Sequence, residues 1–135
     1  MTTGTHAIVW IDNSEARIIM VDLRDTGEAV EHSQNAGRHL HSKAGSPEGN
    51  RATADHAFFQ RVADDLANAK SFMVVGPANA KTEFVKHIHR FDPHLFSRLT
   101  SVESADDMTD AQLAALARDY FVRADRIIPH AIKID

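Results

Sequence analysis

Residues 71–90, SFMVVGPANAKTEFVKHIHR, constrain the fold of this chain more than any other stretch. The apolar run at residues 72–75 is too short for a helix and is typical of a strand buried on both faces. Gly76 and Pro77 end this strand, and Asn79 is a residue type favoured at a helix N-cap. A buried strand joined to a helix by a glycine turn predicts an α/β layer fold. The helix has an apolar stripe formed by Phe84, Val85, Ile88 and Phe91.

The first third of the chain predicts an antiparallel meander. Residues 6–11 (HAIVWI) and 16–21 (ARIIMV) are rich in β-branched and aromatic residues, and residues 12–15 (DNSE) are turn formers. These features predict a β-hairpin. A further turn at residues 25–27 precedes residues 28–34, for which we predict a third strand at the edge of the sheet.

The composition of residues 35–53 (NAGRHLHSKAGSPEGNRAT) differs from that of the flanking segments, because it combines glycines and a proline with clustered basic side chains. We predict a loop, and a loop of this length on a rigid scaffold is frequently functional. Cations neutralise phosphates, glycine allows close backbone approach, and serine can donate to phosphate or sugar oxygens. The alternative is an exposed loop whose polar residues only maintain solubility. The RNA-binding candidates are His39, His41, Lys43, Gly45, Ser46 and Arg51, with Lys81 added as an exposed cation after the glycine turn.

Three more segments complete the predicted secondary structure. Asp55 can cap a helix with an apolar face, Asp92 and Pro93 end the helix that follows Asn79, and residues 99–102 predict a short strand. The face of the first helix consists of Phe58, Phe59, Val62, Ala63 and Leu66.

The last helix is predicted from a capping box formed by Thr109 and Gln112. From Arg123 onward we predict a C-terminal tail that packs on the body. The apolar stripe of this helix consists of Leu113, Leu116, Ala117, Tyr120 and Phe121. We expect Trp10, Phe58, Phe59 and Tyr120 to lie in the core and not to form a base-stacking platform.

This order of elements predicts an α/β fold with a ribonuclease-H-like mixed sheet, in which an antiparallel meander precedes alternating helices and strands. At 135 residues the chain suits one domain, with a core at about 6–122 and a tail at 123–135.

Composition limits the functional classes. The net charge is −4, but the segments at 34–53 and 71–100 are each locally basic, which fits a limited contact with a phosphate backbone. The chain has no cysteine, which excludes disulfides, thiolate ligands and a cysteine nucleophile. No run approaches the roughly 20 apolar residues that span a bilayer, and no signal-peptide pattern occurs, so we expect a cytoplasmic protein.

The hairpin around IDNSEAR, the basic loop and GPANAKTEF occur in an order that resembles the middle domain of archaeal and eukaryotic class-1 peptide-chain release factors and Pelota-type rescue factors. HSKAG and GPANAKTEFVKHIHR make the chain most similar to small bacterial relatives labelled translational machinery proteins. The resemblance covers residues 6–122 and implies a translation factor that contacts the ribosome or tRNA, without a cofactor, in rescue, hibernation or another stress response.

The sequence departs from release factors at one functional point. Release factors use a Gly-Gly-Gln tripeptide to hydrolyse peptidyl-tRNA, whereas the corresponding loop here reads HSKAGSPEGNRA and the tripeptide occurs nowhere in the chain. Rescue-type relatives also lack it, so we expect binding without catalysis. Two alternatives stay open: a hydrolase acting on peptidyl-tRNA or RNA through the basic loop, and a protein–protein adaptor. The oligomeric state is not determined by the sequence.

Four other chemistries have little support in the sequence. Residues 76–82 lack the spacing and second glycine of a nucleotide-binding loop, and no GxSxG nucleophile elbow occurs. The pairs His39/His41 and His87/His89 would suit a metal on a strand or loop but not on a helix, and without cysteine or an HExxH motif we expect no metal. A two-metal nuclease needs several converging carboxylates, whereas Asp12 lies in a predicted turn, where aspartate is favoured for local hydrogen bonding. Asp64, Asp65 and Asp106 are the remaining candidates.

Overall fold

The structure is a computed structural model that describes the backbone of residues 4–23, 29–31, 38–41 and 51–132, and the side chains of residues 5–22 and 56–123. Its strands are β1 (Gly4–Ile11), β2 (Glu15–Leu23), β3 (Ala29–Glu31), β4 (Arg38–His41), β5 (Ser71–Gly76) and β6 (Leu99–Ser104). Its helices are α1 (Arg51–Asp65), α2 (Ala80–Phe91), α3 (Pro93–Phe96) and α4 (Asp110–Ile132).

The six strands of the described chain form one mixed sheet in the order β3-β2-β1-β5-β6. Strands β1 and β2 are antiparallel, whereas β1, β5 and β6 are parallel to one another. Strands β3 and β4 both pair with β2, β3 with residues 21–23 and β4 with residues 15–18, so they share one edge. This antiparallel meander followed by parallel strands confirms the α/β, ribonuclease-H-like mixed sheet predicted from the sequence.

The hairpin turn forms as predicted because Asp12 satisfies its backbone. Oδ1 of Asp12 accepts hydrogen bonds from the backbone N–H groups of Ser14 and Glu15, both at 2.8 Å. The turn therefore holds β1 and β2 in register, with Ile11 opposite Ala16.

The predicted loop at 35–53 is wrong at both ends. Residues 38–41 form β4, and α1 begins at Arg51. Because the outer edge of β2 offers unpaired backbone groups, pairing can recruit a segment whose composition suggests a loop. Asp55 is consequently inside α1 and not at its N-cap; the alanines at 52 and 54 favour helix upstream of it. Residues 42–50 lie outside the described residues.

The glycine turn after β5 confirms the predicted strand end and places the start of α2. Gly76 has φ 152°, and a Cβ there would lie 2.2 Å from the carbonyl oxygen of Ile11, so only glycine fits. Asn79 occupies the N-cap of α2, but its side chain makes no capping hydrogen bond. Lys81 is buried and not exposed as predicted, because its Nζ donates to the carbonyl oxygen of Ala78.

The C-terminal half follows the predictions up to the last helix. Asp92 ends α2 and its Oδ1 accepts from the N–H of Leu95, which caps α3. Thr109 and Gln112 form the reciprocal capping box. The backbone N–H of Thr109 donates to Oε1 of Gln112 at 2.8 Å, and the backbone N–H of Gln112 donates to Oγ1 of Thr109 at 3.1 Å. Helix α4 then continues to Ile132, where a tail was predicted from Arg123. An ion pair between Arg123 and Asp119, one turn earlier, supports this extension.

Two hydrophobic clusters lie on opposite faces of the sheet. One joins alternate residues of β1 and β5 to α1, α2 and α3, and the other joins the intervening residues to α4. The predicted stripes supply these cores with two exceptions on α2: Phe84 and Ile88 are buried, whereas Val85 is half-buried outside both clusters and Phe91 is 52% exposed. In the part of the chain that is described, no helix is long and apolar enough to cross a membrane.

Candidate nucleic-acid interface

The structure places the predicted RNA-binding residues in two separate positions. His39 and His41 lie on β4, where they pair in the ladder with Arg17 and Glu15, and Arg51 is the first residue of α1. Lys43, Gly45 and Ser46 lie outside the described residues. Lys81 belongs instead to the first turn of α2, with its ammonium group turned to Ala78. The RNA-binding role of these residues stays a prediction.

Helices α1 and α2 form a surface cleft of about 460 Å³ at the end of the sheet where β1 turns into β2. We call it the α1–α2 cleft. Its volume is in the range of small-ligand sites. It is lined by Asp12 and Asn13 of the turn, by His56, Phe58 and Phe59 of α1, and by Ala80, Glu83, Lys86, His87, Arg90 and Phe91 of α2.

The cleft lies beside the ends of the predicted loop. His41, the last residue of β4, pairs with Glu15, which directly follows the turn that contributes Asp12 and Asn13. On the other side, Arg51 begins the helix that contributes His56 one turn later. The basic segment therefore leaves and re-enters the described fold next to the cleft.

A cluster of four rings forms the wall between the two helices. His56 packs edge-to-face on His87 and on Phe91, with ring centroids 4.8 and 4.9 Å apart. His87 also contacts Phe91 at 5.0 Å and Phe59 at 5.7 Å. Because Phe91 is half exposed, this cluster presents an aromatic face to solvent.

The hydrogen bonds of Gln60 define the state of His87. The amide nitrogen of Gln60 donates to Asp64 Oδ1 at 3.0 Å, so its Oε1 is free to accept from Nε2 of His87 at 3.2 Å. Burial lowers the pKa of His87 from its ordinary value, and the neighbouring His56 lowers it further, against an opposing effect of Asp92. His87 is therefore a neutral imidazole with its proton on Nε2 at neutral pH.

Charged groups stand at the rim of the cleft. Lys86 is exposed, and its Nζ lies 3.8 Å from Oε2 of Glu83. Because both side chains are solvated, this ion pair is weak. The guanidinium carbon of Arg90 lies 5.2 Å from the centroid of the Phe91 ring. Asp12, the other acid of the lining, already accepts the hydrogen bonds of its own turn. Lys86 and Arg90 are thus the cations that an anionic ligand would meet at the cleft.

Sequence reasoning missed this cleft. It paired His87 with His89, but His89 packs on Phe96 at 4.6 Å, away from the His56 contact. It also placed Phe91 on the apolar stripe of its helix, without indicating that this ring is half exposed. The spacing of His87 and Phe91, four apart on one helix, was the available signal, because such residues lie on one face.

The carboxylates proposed for a nuclease do not converge. Asp12 lies at the α1–α2 cleft, whereas the backbone carbonyl of Asp106 accepts from Trp10 Nε1 at 3.0 Å, in the cluster under α4. Asp64 and Asp65 lie at the end of α1. Within the residues that are described, no group of three His, Asp or Glu side chains could hold a metal ion.

The sheet order and its helices define a ribonuclease-H-like α/β domain. Structural comparison shows similarity to Pelota from Archaeoglobus fulgidus, with a TM-score of 0.62 and 18% identity, covering 99% of this chain and 38% of that protein. It also shows similarity to the archaeal translation termination factor aRF1, with a TM-score of 0.50 and 18% identity over 96% of this chain and 41% of that one. RuvC from Thermus thermophilus has a TM-score of 0.50 and 14% identity, covering 73% of this chain and 61% of that protein.

These comparisons establish the fold. The chain has a Pelota- and aRF1-like domain fold, and it spans about two fifths of the length of those two proteins. No protein-family model matches the sequence, and comparison with curated proteins gives no match either.

Proposed function

We propose that this chain is a translation factor that binds the ribosome or a tRNA without catalysing a reaction, in ribosome rescue, hibernation or another stress response. The observation that carries the proposal is the structural similarity to Pelota and aRF1, which extends over 99% and 96% of this chain. The aRF1 protein is a translation termination factor. The shared fold supports a role in the same process, with the missing Gly-Gly-Gln as the principal difference.

The contact with RNA is proposed at the basic segment and at the neighbouring cleft. His39, His41, Lys43, Gly45, Ser46 and Arg51 belong to the segment. Lys43 and Arg51 would neutralise phosphates, and Ser46 would donate to a phosphate or sugar oxygen. Because β4 and α1 bring the ends of this segment beside the α1–α2 cleft, one RNA strand could contact both.

Binding without catalysis is supported by the residues present. The sequence lacks the tripeptide that release factors use for hydrolysis. Asp12 lies at the α1–α2 cleft, whereas the backbone carbonyl of Asp106 accepts from Trp10 in the cluster under α4, an arrangement that does not favour two-metal phosphodiester chemistry. We therefore expect no hydrolysis of peptidyl-tRNA or RNA by the purified chain.

The test is co-sedimentation of the purified chain with ribosomes at several salt concentrations. The double substitution Lys43→Ala with Arg51→Ala is expected to weaken association and to reduce its salt dependence, because two phosphate contacts are lost. The matched control is Lys70→Ala with Arg123→Ala, which removes two exposed cations outside the basic segment and the cleft.

Each outcome bears on a separate part of the proposal. Association that is weakened by the first pair and not by the control supports the contact at the basic segment. Unchanged association of the Lys43/Arg51 variant at every salt concentration would contradict the proposed contact at the basic segment. A wild-type chain that neither pellets with ribosomes nor binds tRNA would contradict the function itself.

A further inference from the structure

The exposed aromatic ring at the end of α2 has no structural explanation in the hydrophobic core. Phe91 continues the stripe of Phe84 and Ile88, yet it is 52% exposed while they are fully buried. In the described part of the chain, Val102 at 41% is the other large apolar side chain that is exposed. Val102 lies on the edge strand β6, so Phe91 stands apart within the α1–α2 cleft.

The surroundings of Phe91 favour a planar ligand. His56 and His87 contact the Phe91 ring at 4.9 and 5.0 Å, so one side of it is supported by further rings while the rest faces the cleft. Aromatic side chains and imidazoles are the groups on which unpaired bases stack. His87 is buried and hydrogen-bonded to Gln60, so it holds the Phe91 ring that it contacts in a fixed position.

The rim of the cleft favours an anion attached to that planar group. Arg90 lies over Phe91 at 5.2 Å, and Lys86 is one turn before it on the same face of α2. Asp12 accepts the hydrogen bonds of its own turn, and the contact between Glu83 and Lys86 is weak enough for a phosphate to replace it. An aromatic floor with cations at its edge is complementary to a base that carries a phosphate.

We infer that the α1–α2 cleft binds one unpaired nucleotide of a single-stranded RNA, with the base against Phe91 and His56 and the phosphate held by Lys86 and Arg90. The cleft volume of about 460 Å³ accommodates one nucleotide and not a duplex. The identity of the polymer as RNA rests on the proposed function. The prediction that the nucleotide is unpaired and stacked rests on the shape and residues of the cleft.

The probe for this site is a fluorescein-labelled RNA octamer, titrated with the full chain at low salt and followed by fluorescence anisotropy. Phe91→Ala is expected to weaken binding by roughly 10-fold or more, because one base loses its stacking partner. Phe91→Tyr keeps the ring and is expected to bind as the wild-type chain does. Val102→Ala, which truncates the other exposed apolar residue, is the matched control.

The phosphate contact has its own measurement. For single strands, each phosphate contact contributes about −0.7 to the slope of log affinity against log salt. Arg90→Ala is therefore expected to make the slope shallower by about 0.7, whereas Arg123→Ala, an exposed arginine of α4, leaves it unchanged. Thermal unfolding of each variant checks that a loss of binding is not caused by a loss of the folded structure. Phe91→Leu, a second replacement that keeps an apolar side chain, is measured in the same way.

The outcomes separate this inference from the proposed function. Loss of binding in Phe91→Ala with recovery in Phe91→Tyr, and at least 10-fold weaker binding of the corresponding RNA duplex, support the nucleotide site. Equal affinity of Phe91→Ala and wild type, or equal affinity for duplex and single strand, would overturn it. Ribosome association that persists without any octamer binding would overturn the site alone and point to a protein contact. Octamer binding without ribosome association would retain the site and contradict the translation role.

Discussion

Nε2 of His87 donates to Oε1 of Gln60 at 3.2 Å, and this hydrogen bond joins α2 to α1 inside the α1–α2 cleft. The bond orients the imidazole whose ring packs on His56 and Phe91. Burial disfavours its charged form, which lowers the pKa of His87. The stability of the cleft is consequently linked to pH.

The first prediction concerns this linkage. Because the pKa of His87 is lower in the folded chain than the ordinary 6.5, the unfolded chain binds a proton first as the pH falls. The free energy of unfolding should therefore decrease as the pH falls below about 7, until the pH passes the pKa of His87 in the folded chain. His87→Gln should make this pH dependence smaller. Urea unfolding at pH 7.5 and pH 5.5, followed by the fluorescence of the single tryptophan, Trp10, measures it.

The matched control for His87 is His94→Gln, which replaces an exposed histidine on α3. The effect of His87→Gln on the pH dependence has to exceed that of the control. If the two substitutions change the dependence equally, the linkage does not reside in the buried imidazole.

How much of this fold is predictable from sequence depends on the range of the interaction. The turn at Asp12, the strand ending at Gly76 and the capping box at Thr109 follow from neighbouring residues, and all three were predicted correctly. Strand β4 depends on pairing with the distant β2, so its own composition could not reveal it.

The cleft was beyond sequence reasoning for the same reason. Spacing correctly puts Phe91 on the face of Phe84 and Ile88, but whether a partner covers the last turn of α2 depends on where α1 packs. His56 and His87 come from different helices, so only the tertiary structure brings them together. The basic segment at 35–53 was identified from composition alone, and its role in binding RNA stays a prediction.

The second prediction concerns a buried cation under α4. The guanidinium of Arg17 lies 4.5 Å from the Trp10 centroid, and its Nη2 donates to Asp107 Oδ1 at 2.8 Å. Arg17 also donates to the carbonyl oxygen of Met108, which ties the segment before α4 to the sheet. Arg17→Ala should lower the free energy of unfolding by about 2–3 kcal/mol through lost hydrogen bonds and packing.

Two further variants assign that loss. Arg17→Met retains the apolar volume beside Trp10 and should cost less than about 1.5 kcal/mol. Arg123→Ala breaks an ion pair with Asp119 in which both side chains are exposed, and should cost about 0.5 kcal/mol or less. Equal losses for the two alanine variants would show that burial of Arg17 adds nothing.

The third prediction concerns the turn between β5 and α2. Gly76→Ala places a Cβ 2.2 Å from the Ile11 carbonyl oxygen, at a φ of 152° that disfavours other residues. We expect a loss of about 3 kcal/mol or more from strain and overpacking, measured by urea unfolding. Thr82→Ala, at an exposed position in the first turns of α2, is the control and should stay within about 0.5 kcal/mol. A stable Gly76→Ala variant would contradict the close approach of the two strands.

The fourth prediction uses the residue two positions later. Ala78 has φ 50°, in the left-handed region that favours glycine. Ala78→Gly should therefore stabilise the chain, by up to about 1 kcal/mol. Ala115→Gly, at an exposed position inside α4, should instead destabilise it by about 1 kcal/mol. Destabilisation by both changes would show that residue 78 is not held in the left-handed conformation.

The central claim, that this chain acts on the translation machinery, is tested most directly by sucrose-gradient sedimentation of the tagged full chain from its own cells. The account predicts that a fraction of the chain migrates with ribosomal particles, before and after stress, and moves to the top of the gradient when high salt removes its phosphate contacts. A chain that stays entirely at the top of the gradient at every salt concentration and under every stress would contradict the account.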